Sequence, residues 1–166
     1  MVEIGVTHIP PGGGRSLWVL GELVTYKTTS EQTGGAYSLF EVSTQPGIGP
    51  PPHVQHREEE SFYVLEGVYE FVVESHSLRA GAGSLLYVPK GTLHAYKNVG
   101  EGLARMLMSQ TPGGLCEHFF EEVGNPVDNE ALPLVVGDQP DLKKIVTIGI
   151  RYGIEIPSPI AQRGEA

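Results

Sequence analysis

Turn-forming residues interrupt this sequence at short intervals along most of its length. The chain has 22 glycines and 13 prolines, and they are spread out rather than concentrated in one tract. Between them lie short segments rich in β-branched and aromatic residues, such as Ser16 to Thr28 and Tyr37 to Thr44. Short alternating segments separated by turns are typical of all-β domains. The pattern therefore predicts an all-β fold built from many short strands.

Further segments of this kind predict a β region that ends near residue 112. The predicted strands are two within Ser16 to Thr28, divided near Gly21, then Tyr37 to Thr44, Ser61 to Glu66, Val68 to Glu74, His76 to Arg79, Ser84 to Val88, His94 to Val99 and Leu103 to Gln110. Three consecutive prolines precede His53 and favour extended geometry there. We expect these strands to close into a barrel or sandwich.

The character of the sequence changes after residue 114. Apolar spacing predicts a short helix at Leu115 to Val123 and a second at Pro140 to Tyr152, with Asp138 as the cap of the second helix. The apolar face predicted for the second helix is formed by Leu142, Ile145, Val146 and Gly149. We therefore expect two helices packed on one side of the β region.

The whole chain, 1–166, is expected to form one domain. Its barrel core should span about 16–112 and its helical extension about 113–157. Asn125 to Pro133 is expected to be a loop, and the last ten or so residues are expected to fray.

The charge and the cysteine content limit the partners and the location that we expect for this protein. A formal net charge of −9 disfavours nucleic acid and anionic membrane surfaces as partners. A single cysteine, Cys116, cannot form an internal disulfide and is expected to be a packed small side chain. Met1 to Gly14 lacks the apolar segment of a secretion signal, and no apolar stretch approaches a membrane span. We therefore expect a cytoplasmic protein.

Two polar clusters carry the chemistry of this chain. In the first, His53 and Gln55 share a face because they lie two apart on an extended segment, whereas His56 points the other way. The acidic run that ends at Glu60 is expected to bend, so that one carboxylate turns back toward His53. In the second cluster, His94 follows a Pro-x-Gly turn and begins a strand. Two imidazoles, a carboxamide and a carboxylate inside one barrel would suit a transition metal.

The spacing of both clusters resembles the two motifs of the cupin superfamily. The first motif is present as Gly47, His53, Gln55, Glu60 and Gly67. The second is present as Gly83, Pro89, Gly91, His94 and Asn98. The resemblance implies a double-stranded β-helix, or jelly-roll barrel, that usually forms a homodimer. The chain departs from the pattern at position 55, where glutamine replaces a second histidine.

The resemblance also implies one divalent metal ion, with His53, Gln55, Glu60 and His94 as its ligands. Replacing an imidazole with Gln55 should weaken Cu, Ni and Zn binding more than Mn or Fe binding, so Mn or Fe is favoured, with Ni, Cu, Zn and Co possible. Without Gln55, the remaining set resembles the two-histidine, one-carboxylate triad of Fe(II) oxygenases. The alternatives are a barrel that has lost metal binding and His56 as a substitute ligand.

The other acidic and histidine residues are interpreted as surface groups. Glu58 and Glu59 are expected to be solvated, although Glu59 is an alternative to Glu60 because the motif tolerates either spacing. Surface or capping roles are expected for His8, His76 and His118.

Strand parity suggests which side chains line a pocket beside the metal. The candidates are Phe62, Tyr96, Met106 and Met108, for which ordinary barrel packing is the competing interpretation. Met106 and Met108 share a face, and parity leaves open which one. An apolar pocket beside a metal suits an apolar or aromatic small molecule. The C-terminal part also resembles small quercetin-dioxygenase-like cupins. That likeness implies an oxidoreductase acting on an enolic compound such as a flavonol, with Glu60 as both metal ligand and catalytic base.

Two other functional classes remain open. One is a non-catalytic barrel that binds a small molecule, and the other is a metal-assisted isomerase, epimerase or decarboxylase.

Overall fold

The computed structural model describes residues 5–127 and 141–157, and its strands form two antiparallel sheets. The strands are β1 Ser16–Val19, β2 Glu22–Thr28, β3 Ser38–Thr44, β4 His53–Gln55, β5 Glu59–Glu66, β6 Val68–Val73, β7 His76–Gly81, β8 Leu85–Val88, β9 Leu93–Asn98, β10 Ala104–Thr111, β11 Asn125–Pro126 and β12 Ile154–Glu155. The helices are α1 Leu115–Val123 and α2 Leu142–Arg151. The predicted fold class, a double-stranded β-helix with two short C-terminal helices, is confirmed.

Strands that are distant in sequence pair with each other in both sheets. The larger sheet has the order β11-β1-β2-β3-β10-β5-β8, and the smaller sheet has the order β12-β4-β9-β6-β7. The β4–β9 pair joins the two halves of the chain that carry the polar clusters. This crossover, rather than any local turn, is what brings the clusters together.

The core lies between the two sheets. Buried and partly exposed residues alternate along β3 and β10, so each strand turns one face inward. Phe40, Phe62, Phe71 and Met106 are completely buried there. Each such side chain contributes roughly 1.5–3 kcal/mol relative to its exposed state.

Helix α1 packs its apolar side onto the barrel. Phe119 and Phe120 are buried, and the Phe120 ring lies edge-on to Phe40 with 5.3 Å between ring centroids. Glu58 was expected to be solvated, but it is 1% exposed and accepts hydrogen bonds from the backbone N–H groups of Leu115 and Cys116. The free N–H groups at a helix start need an acceptor, and Glu58 supplies it. Cys116 is buried, as predicted.

Helix α2 begins at Leu142, and Asp141 caps it. The Asp141 carboxylate accepts from the backbone N–H groups of Lys143 and Lys144. The predicted cap, Asp138, lies outside the described residues, as does Pro140. Leu142 is 58% exposed and does not belong to the buried face, which is formed by Ile145, Ile148 and Gly149. Neither helix in the described part of the chain is long and apolar enough to cross a membrane.

Two short pairings were not predicted. Asn125 and Pro126, expected in a loop, pair with β1, and the rest of that predicted loop from residue 128 lies outside the described residues. Strand β12 pairs with β4 and places Ile154 opposite Gln55. Two-residue strands have too little periodicity to be recognised in a sequence, because their pairing depends on the partner strand.

Candidate metal centre

His53, Glu60 and His94 converge inside the barrel from three strands. The β4–β9 register places His53 directly opposite His94, with 4.4 Å between their ring centroids. The Nε2 atom of His94 is 2.7 Å from Oε2 of Glu60, and that of His53 is 3.9 Å from the same oxygen. One ligand atom from each residue lies within 4.8 Å of the other two. The sequence prediction that these three residues meet agrees with this geometry.

The local backbone that places Glu60 in the cluster differs from the one expected. Strand β5 begins at Glu59, two residues earlier than predicted, so Glu60 lies in the strand and not in a bend. It turns inward with Phe62 and Val64, the buried residues that follow it at every second position. Pairing with β8 and β10 extends the strand to this point, and the local sequence could not reveal those partners.

Both imidazoles are held by their Nδ1 atoms. Nδ1 of His53 lies 3.0 Å from the carbonyl oxygen of Pro51, and Nδ1 of His94 lies 3.0 Å from that of Thr92. A carbonyl can only accept, so each Nδ1 carries the proton and donates. In its neutral form each imidazole therefore has its lone pair on Nε2, the arrangement in which histidines usually ligate metals.

Two buried polar atoms of the cluster face each other without a well-formed hydrogen bond. Oε2 of Glu60 and Nε2 of His94 form no hydrogen bond of acceptable geometry, despite the short distance between them. Two lone pairs at this distance repel each other unless a cation or proton lies between them. The donor set, with two nitrogens and one carboxylate oxygen, fits a divalent transition metal.

The charges of the three groups also suit metal binding. Burial raises the pKa of Glu60, but the His94 and His53 imidazoles and the Gln110 amide outweigh it, and its pKa lies below the usual range. Burial lowers the pKa of His53. At neutral pH the site therefore offers an ionised carboxylate and a neutral His53 imidazole, the forms that bind metals. Burial lowers the pKa of His94, but the adjacent Glu60 carboxylate outweighs it and raises that pKa, so a metal ion bound there would displace a proton from His94.

Gln110 completes the support of Glu60, and the sequence analysis missed it. Its Nε2 donates to Oε1 of Glu60 at 2.8 Å, which fixes the carboxylate and leaves Oε2 facing the imidazoles. Gln110 is completely buried, and its own Oε1 has no hydrogen-bond partner in the described part of the chain. Its position at even spacing after Met106 and Met108 was the available signal, because those residues share the inward face of β10.

The other candidate ligands have different surroundings. Gln55 is buried and borders the same cavity as His53 and Cys116. Its role as a fourth metal ligand stays a prediction. His56 points away, as parity predicted: its side chain is half exposed and its Nε2 lies 2.7 Å from Oε2 of Glu155. The three remaining histidines, His8, His76 and His118, are exposed, as expected.

A small cavity of about 50 Å³ adjoins the cluster. Its walls are mostly apolar, and the polar residues on them are Glu22, His53, Gln55, Glu60 and Tyr96. Tyr96 and Met108, two of the predicted pocket residues, line it. In the part of the chain that the structure describes, Phe62 and Met106 are buried in the barrel but do not line this cavity.

Glu22 is a second buried carboxylate in this cavity, and the sequence analysis missed it. It is 5% exposed and accepts hydrogen bonds from the hydroxyls of Thr44, at 2.8 Å, and Tyr96, at 2.9 Å. Burial raises the pKa of Glu22 to about 7, although both hydrogen bonds lower it. The signal was its parity, since Glu22 shares the inward face of β2 with Val24 and Tyr26.

The raised pKa of Glu22 predicts a pH-dependent stability difference from a Glu22→Gln variant. The folded protein holds this proton more tightly than the unfolded chain, whose carboxyl has a pKa near 4.5. The resulting stabilisation is complete below pH 4.5 and is lost as pH rises through about 7. Between pH 4.5 and pH 8, the unfolding free energy of the variant should therefore rise relative to that of the wild type by on the order of 2–3 kcal/mol. Urea unfolding of the two metal-free proteins across this pH range measures the difference in unfolding free energy. A difference that does not change with pH would contradict the raised pKa of Glu22.

The family comparison agrees with the motifs. Residues 40–109 match the Cupin_2 family model, described as a cupin domain. Germin-like protein 1-1 from Oryza sativa subsp. japonica is 33% identical over 75 residues, which are 42% of this chain and 35% of that protein. The chain thus spans about a third of the length of this curated relative.

Solved structures with similar folds share little sequence with this chain. A predicted oxalate decarboxylase from Thermotoga maritima matches 64% of this chain and 99% of its own, with a TM-score of 0.60 and 16% identity. A sugar phosphate isomerase of the cupin superfamily from Silicibacter pomeroyi matches 63% of this chain and 75% of its own, with a TM-score of 0.56 and 16% identity. At this identity the likeness shows the fold alone.

Proposed function

Since residues 40–109 of this chain match a cupin domain, we propose that the chain is a metal-dependent oxidoreductase, dioxygenase-like, acting on a small enolic molecule. The observation that carries this proposal is the convergence of His53, Glu60 and His94, with Nδ1 of both imidazoles held by backbone carbonyls and each Nε2 turned toward Oε2 of Glu60. Such a triad leaves coordination positions open for substrate. A divalent metal bound there would act as a Lewis acid toward an enol or hydroxy oxygen.

The cavity sets the size of the substrate. An engineered apolar cavity of roughly 150 Å³ holds benzene, and this one measures about 50 Å³. A flavonol has three rings and would not fit this conformation. We therefore propose a substrate of a few heavy atoms with an apolar flank, because the walls beyond the polar groups include Val19, Val24 and Ile154.

Glu60 is proposed to hold the metal through Oε2 and to accept a proton from the substrate. Gln110 restrains Oε1, so the orientation of the carboxylate does not depend on the substrate. Its low pKa keeps Glu60 ionised and able to act as an acceptor at neutral pH.

Metal-loaded protein incubated with small hydroxy- and oxo-acids should consume dioxygen together with one of them. An oxygen electrode and mass spectrometry of the mixture measure both. The matched control is Glu60→Gln, which keeps the shape of the side chain but removes its charge, and it should reduce turnover at least about 100-fold. Substrate loss without oxygen uptake would instead indicate an isomerase, epimerase or decarboxylase. Binding without turnover would indicate a binding barrel.

Homodimerisation and a cytoplasmic location stay predictions. The end strand of the larger sheet, β8, has Leu85 at 67% and Tyr87 at 54% exposure. Apolar side chains beside an open strand edge support association of two copies.

A further inference from the structure

The cavity has a polar wall that the metal triad does not use, formed by Glu22. We propose that Glu22 is a second subsite, which binds a hydroxyl or amine hydrogen-bond donor on the part of the ligand that points away from His53 and Glu60. This inference rests on the proposed binding of a small molecule at the metal, and it adds the chemical class of the ligand's other end.

Glu22 is the acceptor in its hydrogen bonds with Thr44 and Tyr96. The Tyr69 hydroxyl donates to Thr44 Oγ1 at 3.0 Å, and the Thr44 hydroxyl donates in turn to Oε1 of Glu22. The Tyr96 hydroxyl donates to Oε2. An ionised carboxylate has about four acceptor sites, so two remain available. A ligand that meets the ionised carboxylate therefore has to donate.

In the part of the chain that the structure describes, no ion pair compensates this carboxylate. Within residues 5–127 and 141–157, none of the ion pairs includes Glu22. A buried anion without a cation is unfavourable unless donors surround it. A ligand hydroxyl or ammonium would supply a further donor, whereas a second carboxylate on the ligand would be repelled. The subsite therefore favours hydroxy- or amino-substituted acids over dicarboxylic acids.

The position of Glu22 allows one short ligand to reach both ends. Glu22, His53 and Glu60 border the same cavity of about 50 Å³. Tyr96 connects the two ends of the cavity, because it donates to Glu22 and follows His94, the proposed metal-binding residue, by two positions on β9. The ligand body between the ends contacts apolar walls such as Val24 and Met108.

The test compares Mn²⁺-loaded wild type with Glu22→Gln, using the exposed Glu31→Gln as the matched control. The probes are straight-chain monocarboxylic acids of two to five carbons, whose far end is a methyl, a hydroxyl, an ammonium or a second carboxylate. Calorimetric titration at pH 8.5, above the pKa of about 7 for Glu22, gives each dissociation constant. Metal content is measured first for every protein.

At one chain length, the wild type should bind the hydroxy or amino acid about tenfold more tightly than the methyl-ended acid. Glu22→Gln should lose most of that preference and bind the dicarboxylate more tightly than the wild type does. Preference for the ammonium over the hydroxyl, or the reverse, identifies the donor.

Equal end-group preferences in wild type and Glu22→Gln would overturn the subsite while leaving metal and acid binding intact. Failure of the wild type to bind metal or any probe would overturn the proposed function and the subsite with it. Glu22→Gln should retain metal at the wild-type stoichiometry, since Glu22 is not a ligand. Unfolding curves for each variant establish that the comparison is made on folded protein.

Discussion

A His94→Ala variant is expected to bind Mn²⁺ or Fe²⁺ at least about 100-fold more weakly than the wild type. Even outer partners of metal ligands change affinity by about 10–100-fold, and His94 is a proposed direct ligand. Its imidazole is fully buried and its Nε2 lies 2.7 Å from Oε2 of Glu60, so no water-exposed group can replace it. Elemental analysis after desalting and a calorimetric titration with metal provide the two measurements.

The matched control is His76→Ala, which removes an exposed imidazole from β7. That variant should keep the wild-type metal content. A second variant, His94→Gln, retains a polar side chain of similar reach and should also lose affinity, which separates ligand loss from misfolding. Undiminished metal affinity in both His94 variants would mean that the metal, if any, binds elsewhere.

A Gly49→Ala variant is expected to be destabilised by about 2–4 kcal/mol. A Cβ at this position would lie 1.9 Å from the carbonyl oxygen of Tyr96 and 3.0 Å from Cα of Lys97. Both are backbone atoms of β9, so no side-chain rotation can relieve the clash. The loop before β4 also hydrogen-bonds to β9, with the Asn98 N–H donating to the Ile48 carbonyl at 3.0 Å.

The displacement should also reach the metal site, because this loop leads into His53. We expect weaker metal binding by Gly49→Ala in addition to the lower midpoint of urea unfolding. The control is Gly81→Ala, where an added Cβ has no atom within 4 Å and the backbone is not left-handed. Equal unfolding free energies for the two variants would show that the loop moves away from β9 without cost.

Much of the site could be predicted because the signals are local. The spacing from His53 to Glu60, and from the Pro-x-Gly turn to His94, is readable in the sequence. Alternation along β9 likewise predicted that Tyr96 turns to the same face as His94, and both are buried.

Other site residues depended on contacts that the sequence does not display. Glutamate is a residue type usually found at the surface, but the first N–H groups of α1 donate hydrogen bonds to Glu58 in the fold. Gln110 could have been placed on an inward face, but its contact with Glu60 follows from the β5–β10 register. Ile154 borders the cavity because β12 pairs with β4, a contact between residues about one hundred positions apart.

The sequence by itself determined the all-β class, the helical C-terminal part and the three residues that meet as a candidate metal centre. These depend on periodicity, turn residues and motif spacing, which act over a few neighbouring residues. Only the tertiary structure decided the close approach of His94 to Glu60, the small cavity and the buried carboxylate of Glu22 within it. Those properties depend on strand register and on burial, and both arise only when distant segments pack together.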